Sequence, residues 1–285
     1  MRTPARRLGR RQRRLATIAQ LVAVVLAVCA AVTVVAEGPG GHPGADRLAA
    51  EEIPALPLLA APLPPSAVPS PSGSPVVPSS PPPVLRLAGP VPTTGTGRFG
   101  YDDRSGPVLG RAGELRRYRV AVELGSGEDA AAFGRAVHTA LAGPGSWVDS
   151  GRLRLRQVPG GEPRDFTVYL ATARTAGRMC ADGGVDIRVG GRPYTSCRAP
   201  GKVIINLDRW RLSVPHFVSA RAPLEVYRTY VVNHEVGHQL GHRHERCPGV
   251  GRPAPVMMQQ TLFLRGCRIN PWPYLDGRRY AGPAL

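Results

Sequence analysis

Between residues 37 and 97 about every fourth residue is proline, and a segment built this way cannot hold a helix interior or a central strand. Sixteen of the chain's 31 prolines fall in these 61 residues, in runs such as PLPPSAVPSPSGSPVVPSSPPPV. Large apolar side chains are too few there to offset the entropy of ordering, so the stretch reads as a disordered, solvated, polyproline-rich tether. At about 3.1 Å per residue it could reach nearly ~190 Å. Folding is left to residues 98–285, about 188 residues, enough for one domain with its own core.

Ahead of the tether, residues 15–36 carry no charge, and 22 such residues span the roughly 30 Å hydrocarbon core as a helix. Residues 1–14 hold seven arginines and no acid. By the positive-inside rule this end is cytoplasmic and everything after Ala36 is exported. The rival reading is a signal peptide cleaved near Ala36, although signal cores run only about 7–15 residues. Cys29 is a small apolar residue of the span. The formal charge of +17 now divides differently: seven positive charges belong to the N-terminal run, and the body has 28 bases against 16 acids. Export removes nucleic acid as a partner, and no base-reading motif is present. The cytoplasmic membrane, through residues 15–36, and anionic cell-wall polymers remain as partners.

Within the body, residues 115–124 read as a strand with Tyr118, Val120 and Val122 on one face. Asp129 can cap a helix carrying Phe133, Val137 and Leu141, which Gly143-Pro144-Gly145 ends. Further strands are expected at 153–158, 166–171, 185–189 and 202–207, and a helix at about 224–240. Strands mixed with few helices make the fold class α+β.

Four cysteines lie in the exported body: Cys180, Cys197, Cys247 and Cys267. An even number in an oxidising compartment favours disulfides, and three pairings can be drawn. The local one, Cys180 with Cys197 and Cys247 with Cys267, closes loops of 16 and 19 residues and is the favoured one. Each bridge is worth about 3 kcal/mol in the chain-entropy model. No CxxC spacing supports a cysteine-ligated zinc.

The residues that carry chemistry are in the segment HEVGHQLGHRH, 234–244. His234 and His238, one turn apart on a helix, can converge on one metal. Glu235 lies about 100° round the helix from His234, where a carboxylate reaches a metal-bound water without ligating the metal. With Val232 at zero, Val236 and Leu240 fall at about 40° and 80°, the two histidines at about 200° and 240°. The apolar stripe and the ligands therefore face apart. Tyr227 and Val231 continue the histidine face, so protein should cover it there. Gly241 allows a left-handed turn that ends the helix and brings His244 back as third ligand. His242 and Glu245 are nearby competitors that the spacing does not select. Three neutral imidazoles leave one position for water, the mark of a catalytic zinc site.

His234, Glu235, His238, Gly241 and His244 together match HExxHxxGxxH, and the chain here resembles the metzincin clan of zinc metallopeptidases. The signature includes a methionine-containing turn below the metal. Pro255-Val256-Met257-Met258 is the candidate, with Met257 preferred, 13 residues after His244. The resemblance covers about residues 224–260. It implies a twisted mixed sheet with a helix packed below it, an active-site helix and a small C-terminal part. The chain also looks like an uncharacterised bacterial, membrane-anchored exported family of this type with the same anchor, tether and cysteine pairs. It departs from better-known members in having Gln259 and Gln260, not tyrosine, after the methionines, and no cysteine-switch segment in the tether.

The expected function is that of a zinc-dependent endopeptidase with one catalytic Zn2+, acting on peptide or protein substrates outside the membrane. Glu235 serves as general base and then general acid, and substrate lies extended along an edge strand by β-augmentation. The alternative is a cell-surface module that keeps the metal and binds wall polymer without catalysis.

Overall fold

The computed structural model describes residues 81–285. The membrane span expected at 15–36, the basic residues before it and the tether as far as residue 80 lie outside the described residues. Among the described residues no helix is long and apolar enough to cross a membrane.

The body is mixed α+β. Its main sheet runs in the order β2 (Val108–Leu109), β4 (Leu153–Gln157), β3 (Glu114–Glu123), β5 (Phe166–Ala171), β9 (Lys202–Asn206) and β8 (Cys197–Ala199). Strands β4, β3, β5 and β9 are parallel to one another, and the outer strands β2 and β8 pair antiparallel with β4 and β9. A short β1 (Phe99–Tyr101) pairs antiparallel with the C-terminal half of β3, beyond the residues that β4 occupies. Parallel neighbours need a crossover. Between β3 and β4 it contains α1 (Ala130–Ala142), and between β5 and β9 it contains α2 (Ala173–Asp182).

Alternation along the strands sends their side chains to two cores. Tyr118, Val120 and Val122 of β3, Phe166, Val168 and Leu170 of β5, and Val203 and Ile205 of β9 face α1 and the long helix α5 (Leu224–Gln239). Ala171 and Ile204 face α2, which offers Ala176 and Cys180. The helix below the sheet is therefore joined by one on the opposite face, which sequence reading had not placed. Asp129 caps α1 as expected, its side chain accepting from Ala132 N at 2.7 Å. Two one-turn helices, α3 (Leu207–Leu212) and α4 (Pro215–Ser219), lead from β9 toward α5.

The strand expected at 185–189 shrinks to β6 (Arg188–Val189), paired with β7 (Arg192–Pro193) in a hairpin off the main sheet. Gly190 and Gly191 have φ of +58° and +77°, which a two-residue hairpin turn requires. The hairpin is largely exposed, so no buried face extends it into a longer strand.

Packing also begins earlier than residue 98. From Val84 the chain lies along the body as a strap. Its backbone is bonded through Leu224 N to Val84 O, Leu87 N to Arg211 O and Arg174 N to Thr93 O, and Val91 packs on the main core. Pro223 gives α5 no side-chain cap, and the Val84 carbonyl accepts the first free N–H of that helix instead.

Both disulfides take the local pairing. Cys180–Cys197 ties α2 to the edge strand β8, and Cys247–Cys267 closes the C-terminal loops. Those loops contain only one small hairpin, β10 (Tyr274–Leu275) with β11 (Arg278–Arg279). Buried amides hold the rest: Gln260 Nε2 donates to Pro255 O and Asn270 O, and Asn270 Nδ2 donates to Ala254 O and Trp272 O. Fully satisfied networks of this kind fix a loop that has no ladder of its own.

Candidate metal centre

Helix α5 crosses the core and buries both faces for most of its length. Val231 and Tyr227, one and two turns before the histidines, are buried as expected, and so are Val232 and Val236 on the other side. His234 and His238 emerge where the helix reaches the cleft. His234 is 6% exposed and Glu235 5%.

The helix ends in a Schellman turn. Gly241 N donates to His238 O and His242 N to Gly237 O, with Gly241 at φ +95°. The turn places the His242 carbonyl 2.8 Å from His238 Nδ1, and two residues later His244 Nε2 comes within 3.0 Å of His238 Nε2. One ligand atom from each of His234, His238 and His244 lies within 4.8 Å of the others, and the three residues could hold a metal ion.

The surroundings fit that role. His234 Nδ1 is 2.8 Å from Val256 O, as His238 Nδ1 is from His242 O. A carbonyl can only accept, so both Nδ1 atoms carry the proton, which leaves the Nε2 atoms as the ones that could bind a cation. Burial, with the neighbouring His238 next, holds His234 well below the ordinary imidazole pKa. Burial lowers His238 too, and takes His244 to about 4. All three are thus neutral near pH 7, the form a metal requires. Burial alone pushes the Glu235 carboxyl up to about 8.

Met257 and Met258 separate. Met257 is fully buried in the main core, whereas Met258 packs with Ala254 and Cys267 in a C-terminal cluster. A Cβ on Gly237 would collide with Met257 Sδ and come within 2.6 Å of Trp147 Cζ2. Gly237, between His234 and His238, is what lets the methionine turn press against the helix. Val256 in the same turn supplies the carbonyl under His234, and the Met257 carbonyl accepts from Glu245 N, next to His244.

Sequence reasoning missed these supports. Trp147 donates Nε1 to Asn233 O at 2.8 Å and stacks on the His242 ring, and the Arg279 guanidinium lies over the Trp147 ring, 5.2 Å from its centroid. Glu245, set aside as a ligand, pairs with Arg279 at 2.7 Å. Tyr230 donates to Met258 O and its ring lies 5.4 Å from that of His234. A glycine inside an otherwise helical run, Gly237, is the one sequence signal that could have found them, and it was not read.

The three histidines and Glu235 line a cavity of about 420 Å³. One wall is Thr195, Ser196, Cys197 and Arg198 at the β8 edge, and the opposite wall includes Arg243, Gln259, Thr261 and Leu262.

A family model described as "Protein of unknown function (DUF3152)" matches residues 85–271. The chain belongs to that family. The match starts at the strap and takes in all three histidines, Glu235, the four cysteines and Met257. No curated protein and no solved structure matches the chain.

Proposed function

We propose that this protein is a zinc-dependent endopeptidase of the metzincin type, hydrolysing peptide bonds outside the cytoplasmic membrane. The observation that carries the reading is the convergence of three neutral imidazoles with a buried carboxyl, Glu235, on one open cavity. His234, His238 and His244 would hold the zinc, a donor set that leaves room for a further ligand. Bound there, zinc supplies Lewis-acid polarisation of a carbonyl and lowers the pKa of water.

The remaining work belongs to the chain. Glu235 takes a proton from the attacking water and returns it to the nitrogen of the departing amine. A pKa near 8 before metal binding leaves it suited to exchanging a proton near neutrality. The Nδ1–H bonds to Val256 and His242 fix both helix imidazoles in the tautomer that serves the ion. Strand β8 forms the sheet edge beside the cavity, so an extended peptide can add to it as a further strand.

Two disulfides support an oxidising compartment. Residues 15–36 anchor the chain with the N-terminus cytoplasmic, or direct its secretion if cleaved near Ala36. Zinc-dependent cleavage tests the proposal: full chain in detergent, stripped by a chelator, should lose cleavage of a denatured protein and regain it with one equivalent of zinc. Equal cleavage before and after stripping, or none with zinc restored, would contradict it.

A further inference from the structure

The walls of the cavity carry charge that nothing inside the protein meets. Arg198 projects from the edge strand β8, and Arg243 stands between His242 and His244 on the other side. Among the described residues neither forms an ion pair, and the only hydrogen bond either side chain makes is Arg198 Nε to Gln239 Oε1, at 3.2 Å. That bond fixes Arg198 against the active helix and leaves both its Nη groups free to donate. The Cys180–Cys197 bridge holds the adjoining residue of the strand.

Acids in the lining are Asp186 and Glu235. Asp186 is already held by Arg188 through two bonds of 2.9 Å, so its charge is met outside the cavity. A metal ion on the three histidines would add positive charge to the same space. The cavity therefore presents two guanidinium groups, one on each wall, to whatever lies between them. Guanidinium pairs best with carboxylate, in two parallel N–H···O bonds.

We propose that the cleft selects peptides with acidic side chains next to the scissile bond, and that Arg198 and Arg243 are the specificity-determining residues. This rests on the peptidase reading and names its substrate class. It also gives a local use to part of the body's excess of bases over acids.

Two measurements on the full chain in detergent test it. In the first, zinc-loaded protein is incubated with a peptide library made from a digested proteome, and cleavage sites are read by mass spectrometry. Asp and Glu should be enriched at least about threefold at positions flanking the cut, and Arg198→Gln with Arg243→Gln should remove the enrichment. In the second, the Glu235→Gln variant binds labelled ten-residue Ala/Gly peptides with a central Glu-Glu or Lys-Lys pair, followed by fluorescence anisotropy. The Glu-Glu peptide should bind about tenfold tighter at low salt, and the gap should close in the doubly neutral variant. If Arg198→Gln disturbs the sheet edge, Arg243→Gln on the exposed turn should still narrow the gap, and Arg198→Lys should largely keep it. Cleavage without acidic enrichment would overturn this inference and leave the peptidase reading intact. Tighter Glu-Glu binding with no cleavage of any peptide would do the reverse. Equal binding of the two peptides overturns the inference outright.

Discussion

Single residues set the site by what they leave room for. Gly237 is the clearest case, because a methyl group there meets Met257 and Trp147 under the helix ligands. Gly237→Ala should cost about 1–3 kcal/mol in denaturant unfolding and weaken zinc retention, since the two histidines flank the displaced turn. Unchanged stability would mean the methionine is not packed as described. Glu123 is a second. It is 1% exposed, and its carboxylate accepts from Gly97 N, Thr172 N, Thr172 Oγ1 and Thr175 Oγ1, joining β3 to the start of α2 and to the residues before β1. Burial pushes its pKa up, but these bonds outweigh burial and leave it below the ordinary 4.5. A lowered carboxyl stabilises the fold above the unfolded-state value and loses that contribution as pH falls through the folded-state value. Unfolding free energy should therefore drop below about pH 4.5, and Glu123→Ala should lose at least about 2 kcal/mol at pH 7 while flattening the acid limb. An acid limb unchanged by that substitution would remove Glu123 from the account.

At the scale of elements, the C-terminal turn of α5 is what brings His244 to the two helix histidines, making a cluster that could hold a metal. Gly241→Ala forces a Cβ into φ +95° and should cost about 1–2 kcal/mol. Because the same turn aims the His242 carbonyl at His238, zinc affinity should fall about tenfold or more, measured by competition with a chromophoric chelator. Elements with a long period were readable in the sequence. Strand β5 has the expected limits, β3, β9 and α5 lie within a residue of theirs, and α1 begins directly after Asp129. Each buries several large side chains at spacing 2 or 3.6. Helix α2 escaped because its buried face is Ala173, Ala176 and Cys180, side chains too small to stand out as a stripe. The strap from Val84 escaped because it shares the tether's composition, and only its backbone bonds and Val91 distinguish it. His234, His238, His244 and Glu235 were legible because three histidines and one glutamate at fixed spacing encode one geometry. The supports from Trp147, Val256, Arg279 and Glu245 depend on tertiary approach, which local spacing does not carry.

The whole molecule places a cavity between a sheet edge and a loop-built C-terminal part, with a disulfide on each side. Removing the Cys180–Cys197 bridge, 17 residues apart in sequence, should cost about 3 kcal/mol by thermal or denaturant unfolding, and a loss under about 0.5 kcal/mol would show that the loop orders without it. The central claim is that Glu235 moves the proton while the three histidines hold the metal. Its most direct test is the Glu235→Gln variant of the full chain, assayed for zinc by elemental analysis and for cleavage of a denatured protein. We expect one zinc per chain retained and a rate lower by about 10²–10⁴-fold. A variant that keeps its zinc and cleaves as fast as the wild type would contradict the account.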